Sequence, residues 1–184
     1  MPTNPHQRQP IGAPADLCGR PLVGQLIIGL LLLIVCCGGF SSMALADFQD
    51  RVDYTLTSQN GSDFSGQQLA NSSFAGAKGR QANFSGADLN GAIFTQAQFP
   101  QANFNGADLS DALLDRVDFS GANLSNAVLR GVIASGSNFE SATITGADFT
   151  DALLDLADQR SLCREASGTN PSTGQDTRLS LGCG

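Results

Sequence analysis

From residue 62 to residue 156 the chain repeats every five residues. Nineteen consecutive blocks run without insertion, from SDFSG and QQLAN to ADFTD and ALLDL. The third position is Phe, Leu or Ile in 17 of the 19, Gly79 and Ala134 being the exceptions. The first position is Ala, Ser or Val in 18, with Gln67 the exception. All nine Phe residues beyond residue 60 share the third position. A period of five is neither the 3.6 of a helix nor the 2 of a long strand. It predicts a short extended side, with positions one and three inward, followed by a corner. Gly closes nine blocks, as a turn with positive φ favours. Four corners complete a square coil of 20 residues, and 19 blocks give 4.75 coils. Stacked like strands at about 4.8 Å, they make a tube roughly 23 Å long.

Such a tube is solid. Phe64, Phe84, Phe104, Leu124 and Ile144 stack on one face, Leu69, Leu89, Leu109, Leu129 and Phe149 on the next. Phe74, Phe94, Leu114, Ala134 and Leu154 form the third, and Gly79, Phe99, Phe119 and Phe139 the fourth. Val132 is expected to offset the missing bulk of Ala134, and Gly79 to mark a bulge or relaxed corner.

The blocks resemble the pentapeptide-repeat family, whose pattern is A-(D/N)-L-x-x. Ala87-Asp88-Leu89, Ala107-Asp108-Leu109 and Ala147-Asp148-Phe149 are near-ideal copies. The resemblance implies an all-β solenoid, a right-handed quadrilateral β-helix of about 4.75 coils, across residues 62–156.

The flanks read differently. Residues 1–21 are polar, residues 22–35 apolar, and Ala44-Leu45-Ala46 precedes Asp47. Fourteen apolar residues are short of the roughly 20 that cross a bilayer. This is the order of a secretory signal peptide, residues 1–46, with an uncleaved anchor as the alternative. Cleavage would remove His6, Cys18, Cys36 and Cys37. It would leave 8 basic and 16 acidic residues, and hence a charge of −8. Residues 47–61 alternate around Val52, Tyr54 and Leu56 and are expected to form an N-terminal cap or imperfect first coil. Residues 157–184 break the repeat and suit a helical C-terminal cap. A helix over residues 155–166 would turn Leu156, Leu162 and Cys163 to the core, with a last helical turn near residues 177–183.

Two cysteines remaining in an exported chain argue for a disulfide between Cys163 and Cys183. The tail, Asn170-Pro171-Ser172-Thr173-Gly174 through Leu181-Gly182-Cys183, is similar to the end of thylakoid-lumen pentapeptide proteins of cyanobacteria and plants. That similarity implies a disulfide-tied helical cap and a lumenal setting, with the periplasm as the other address.

Second positions face outward. One column carries Asp63, Asn83, Asn103, Asn123 and Thr143, whose amides can bond along the ladder. Another carries Gln68, Asp88, Asp108, Val128 and Asp148, an acidic ladder that offers a weak case for a surface cation. A third carries Ser73, then Ile93, Leu113, Ile133 and Leu153, a candidate interaction stripe. It is expected to be covered by a terminal segment of the chain, a second copy or another protein.

No metal-ligand cluster, phosphate loop or nucleophile with a base accompanies the repeat, so no catalytic residue, metal or cofactor is assigned. The leading expectation is a non-catalytic, exported structural or protein-interaction module with an unknown protein partner or self-association. It is expected to touch a membrane only through its presequence. The acidic balance excludes nucleic-acid binding. One alternative is an acidic DNA mimic that binds a nucleic-acid enzyme, as some pentapeptide proteins do with gyrase; the signal peptide speaks against it. The other is a cation-binding surface protein.

Overall fold

A computed structural model describes residues 51–184. The signal-peptide reading of residues 1–46 lies outside the described residues, as do residues 47–50 of the N-terminal cap.

The repeat is a stacked coil of four five-residue sides. Every second position from Asp53 to Ile133 pairs in parallel with the residue twenty further on, from Asp53↔Ser73 through Ile133↔Leu153. The third-position N–H donates to the next coil and the second-position N–H to the previous one. Phe84, for example, donates to Asn103 and Asn103 to Ala82. Each side thus contributes one bridge, too short for a conventional strand.

The corners explain the period. The first residue of a block donates back to the third residue of the block before, as Ala87 N–H does to Phe84 O. Between them the fifth position always takes a positive φ. Glycine does so at Gly86 and Gly91, but Gln96 (φ 60°), Asp111 (59°) and Arg116 (55°) do so as well. Positive φ at the third residue of a closed four-residue turn is the type II pattern. Pro100 fits at a fourth position, where a type II turn favours Pro and the ladder requires no N–H.

The axis is filled by aromatic columns. Tyr54, Phe74 and Phe94 stack at 4.9 and 4.8 Å, and Phe64, Phe84 and Phe104 at 4.8 Å each. Neighbouring columns meet edge to face, as Phe84 and Phe94 do, the arrangement the ring quadrupoles favour. Val132 and Ala134 are both fully buried.

Three expectations are corrected. Gly79 is no bulge: Lys78 bridges both Ser58 and Gln98, and Gly79 N–H donates to Gln98 O in register. Its missing side chain makes room for a ring of the next coil, because a Cβ there would lie 2.0 Å from Phe99 Cε1. Of the two readings of residues 47–61, the described part is a first coil, since Asp53 and Ser58 pair with Ser73 and Lys78; what is corrected there is Leu56. Tyr54 takes the inward third position there. Leu56 falls at a corner (φ 58°) and is exposed rather than inward.

The third correction concerns the C-terminal cap. Helix α1, Leu156–Glu165, follows the last side directly. It buries Leu162 and half-buries Cys163, but Leu156 is 69% exposed and does not face the core. Helix α2, Thr177–Ser180, is capped by Asp176, whose carboxylate accepts Leu179 N–H. Cys163 and Cys183 are bonded, with Cα atoms 5.6 Å apart. Arg178 donates to Cys163 O, and Gln159 Nε2 to Leu181 O, so α1 and the tail are held together at several points.

Candidate functional site

The outward second positions form the candidate surfaces, and their chemistry differs face by face. Where they are Asp or Asn, the side chain accepts the N–H two residues on: Asn83 from Ser85, Asp88 from Asn90, Asp118 from Ser120. These residues therefore brace the corner of their own block, a role the second-position column alone does not display. The signal was nonetheless in the sequence, because Asx turns of this span are a local habit of Asp and Asn. The Thr55 hydroxyl and N–H hold the Asp53 carboxyl below its ordinary range, and the Ser65 N–H and hydroxyl do the same for Asp63.

On the Asn face the amides also bond between coils, as the sequence predicts. Asn83 Nδ2 donates to Asp63 at 3.0 Å, Asn103 to Asn83 at 3.1 Å and Asn123 to Asn103 at 3.2 Å. This face is structurally occupied.

The acidic ladder does not assemble as a surface of three carboxylates. Asp88 bridges Asp108, but Val128 stands between Asp108 and Asp148. Asp148 is fully buried. The loop before α2 comes down on this face: Asn170 Nδ2 donates to the carbonyls of Asn126 and Ala127, and Gly146 N–H donates to Ser167 O. Burial alone would raise the Asp148 carboxyl. The Thr150 hydroxyl and N–H, then the Thr173 side chain of that loop and the charge of Arg130, hold it below its ordinary value instead. Among the described residues no group of three or more His, Cys, Asp or Glu is placed to hold a metal ion.

The apolar column does assemble. Ile93, Leu113, Ile133 and Leu153 pair successively in one line. Leu113 is 38% exposed, Ile133 39% and Leu153 60%, with Ile93 half-buried. The C-terminal cap lies over the neighbouring face with Asp148, so it does not cover this column. One flank carries the exposed pair Arg116–Asp115 at 2.8 Å. On the same flank the Asp155 carboxylate accepts Gly136 N–H. The column is thus a dry strip beside a polar margin on a convex wall.

A concave feature lies at the C-terminal end. A cleft of about 550 Å³ separates the last coil from α1. Phe139, Ile144 and Leu162 line its floor, and Glu140, Asp158 and Glu165 its rim. Burial, reinforced by neighbouring Asp155, raises the Asp158 carboxyl above its ordinary value. At its edge the Arg164 guanidinium donates to the Ser161 hydroxyl at 2.9 Å.

Comparison with known proteins agrees with this architecture. A family model described as pentapeptide repeats matches in eight copies, over residues 60–96, 82–121, 92–131 and 122–158. No curated protein matches the chain in sequence. Among solved structures, the chain is similar to a pentapeptide repeat protein of the Arabidopsis thaliana thylakoid lumen. That match has 42% identity, covers 68% of this chain and 88% of that one, and has a TM-score of 0.49. It is also similar to a pentapeptide repeat protein of the cyanobacterium Cyanothece, at 22% identity over 56% of this chain and 91% of that one (TM-score 0.41). HetL of Nostoc, described as involved in heterocyst differentiation regulation, matches at 24% identity over 54% and 53% (TM-score 0.40).

Proposed function

Because this chain belongs to the pentapeptide repeat family, we propose that it is a non-catalytic interaction module that docks another protein along Ile93, Leu113, Ile133 and Leu153. One observation carries the reading: these four side chains form one apolar line, exposed at Leu113, Ile133 and Leu153, on a rod whose other columns are polar or under the cap. The packed axis has no substrate cavity, and the chemistry left to the rod is shape and surface. Four such side chains span about 14 Å, three coil rises. Covering them would contribute several kcal/mol at about 25 cal/mol per Å², before association costs. The coil is taken as right-handed, as the family resemblance implies.

The setting we propose is an exported, oxidising compartment, reached through residues 1–46. The Cys163–Cys183 bond supports it, since structural disulfides persist where thiols are not kept reduced. The thylakoid lumen, the compartment of the Arabidopsis relative, is the specific address we propose, with the periplasm as the other.

The test is the double variant Leu113→Asp, Ile133→Asp. Both positions point outward, so the coils are expected to survive while partner binding or self-association falls. Unchanged stability, oligomeric state and partners would show that the column is merely exposed.

A further inference from the structure

The last coil ends unevenly. Helix α1 takes the place of the two sides that would stack on residues 137–141 and 142–146. Throughout the tube, third- and fifth-position N–H groups donate to the next coil, as Phe119 does to Asn138 and Gly121 to Glu140. At Phe139, Ser141 and Ile144 there is no next coil, and among the described residues these N–H groups find no acceptor. The Ala142 carbonyl, whose counterpart Ala122 accepts Thr143 N–H one coil earlier, likewise receives no donor. These groups line the cleft of about 550 Å³ beneath α1.

The cleft therefore combines three features. It has an unpaired edge of alternating donors and an acceptor, which is what an added extended segment pairs with. It is backed by Phe139, Ile144 and Leu162, which are already buried against the core and give the cleft a firm rear wall. Its rim is acidic through Glu140, Asp158 and Glu165, with no basic side chain among its lining residues. The raised Asp158 carboxyl fits a site where a cation would be welcome.

We infer that this cleft is a docking site for an extended basic segment of another protein, which adds one layer to the coil between residues 138–145 and α1. Its backbone would accept from Phe139, Ser141 and Ile144 and donate to Ala142, and its Lys or Arg side chains would meet Glu140, Asp158 and Glu165. This site is separate from the apolar column and stands or falls independently of it.

The test uses the full chain with its disulfide formed and a labelled peptide, acetyl-Lys-Thr-Lys-Val-Lys-Thr amide, at low salt. Controls are the same peptide with Glu for each Lys, and with its central amides N-methylated. The Lys peptide is expected to bind, and the Glu peptide not to. The triple variant Glu140→Gln, Asp158→Asn, Glu165→Gln should weaken binding about tenfold, as three exposed ion pairs of modest strength would. N-methylation should weaken it similarly, by removing the donor to Ala142. Amide shifts should concentrate at Phe139, Ser141 and Ile144. No binding at millimolar peptide, equal binding of the Lys and Glu peptides, or indifference to the triple variant would each overturn the inference. Occlusion of the cleft by self-association in analytical ultracentrifugation would also overturn it.

Discussion

The ring of Phe99 occupies the space that a side chain on Gly79 would need, twenty residues earlier and one coil below: a Cβ on Gly79 would lie 2.0 Å from Cε1 and 2.3 Å from Cδ1. The two residues form one packing unit, a void in one layer filled from the next. Gly79→Ala is therefore expected to destabilise the tube by about 1–3 kcal/mol, the range of an overpacked core. Equilibrium unfolding in urea reads this directly. Because the clash is between two side chains, Phe99→Leu in the Gly79→Ala background should recover part of the loss. Additive losses would mean that Gly79 serves the backbone instead.

The corner residues make a second prediction. Gln96 sits at φ 60° with a side chain, a conformation that costs L-residues roughly 1–2 kcal/mol. Gln96→Gly should raise stability by somewhat less than that, since glycine loses more freedom on folding, up to about 1 kcal/mol. Gln96→Val should lower it, because a branched Cβ tolerates this region poorly. A destabilising Gln96→Gly would show that the Gln side chain contributes more than the turn.

Much of this fold is legible in the sequence because its contacts recur at fixed spacing. Phe84 under Phe104 and Asn83 under Asn103 follow from a 20-residue coil as soon as the period is seen. The Cys163–Cys183 bond is legible by count once residues 1–46 are set aside. What the period does not carry is what breaks it. Gly79 looks like a fault in its own block, and only the ring of Phe99 accounts for it. Asp148 sits in a near-ideal Ala-Asp-Phe block and reads as surface. Its burial depends on where the loop bearing Asn170 crosses the tube, which no local pattern specifies. Leu156 looks inward because it is apolar, yet it opens α1 at the surface. Of the candidate surfaces, the apolar column was visible because it repeats. The cleft beneath α1 was not, because it exists only where the repeat stops.

Asp148 gives the cap a pH dependence with a definite sign. Its carboxyl is held below the ordinary value in the folded state, so the charged form stabilises the fold. That contribution is fully present above the unfolded value of about 3.9 and is lost as pH falls through the folded one. Below about pH 4 the loop carrying Asn170 should exchange its amides faster, with the coils still protected. In Asp148→Asn the difference between neutral and acid exchange of this loop should shrink. An unchanged acid response would move the effect to another carboxylate.

Reduction of the disulfide should act on the cap alone. Closing a loop of about 20 residues is worth roughly 3 kcal/mol. After reduction, trypsin should cut at Arg178 while the far-ultraviolet circular dichroism of the coils stays unchanged. Loss of the coil signal would mean that the cap holds the tube together.

The central claim is that the column of Ile93, Leu113, Ile133 and Leu153 is covered by another protein where this chain works. A photo-crosslinking residue placed at Leu113, with the same residue placed at Asn103 on the amide ladder, tests it most directly in the native host. The account predicts one discrete adduct from Leu113 and none from Asn103. No adduct from Leu113, or the same products from both faces, would contradict it.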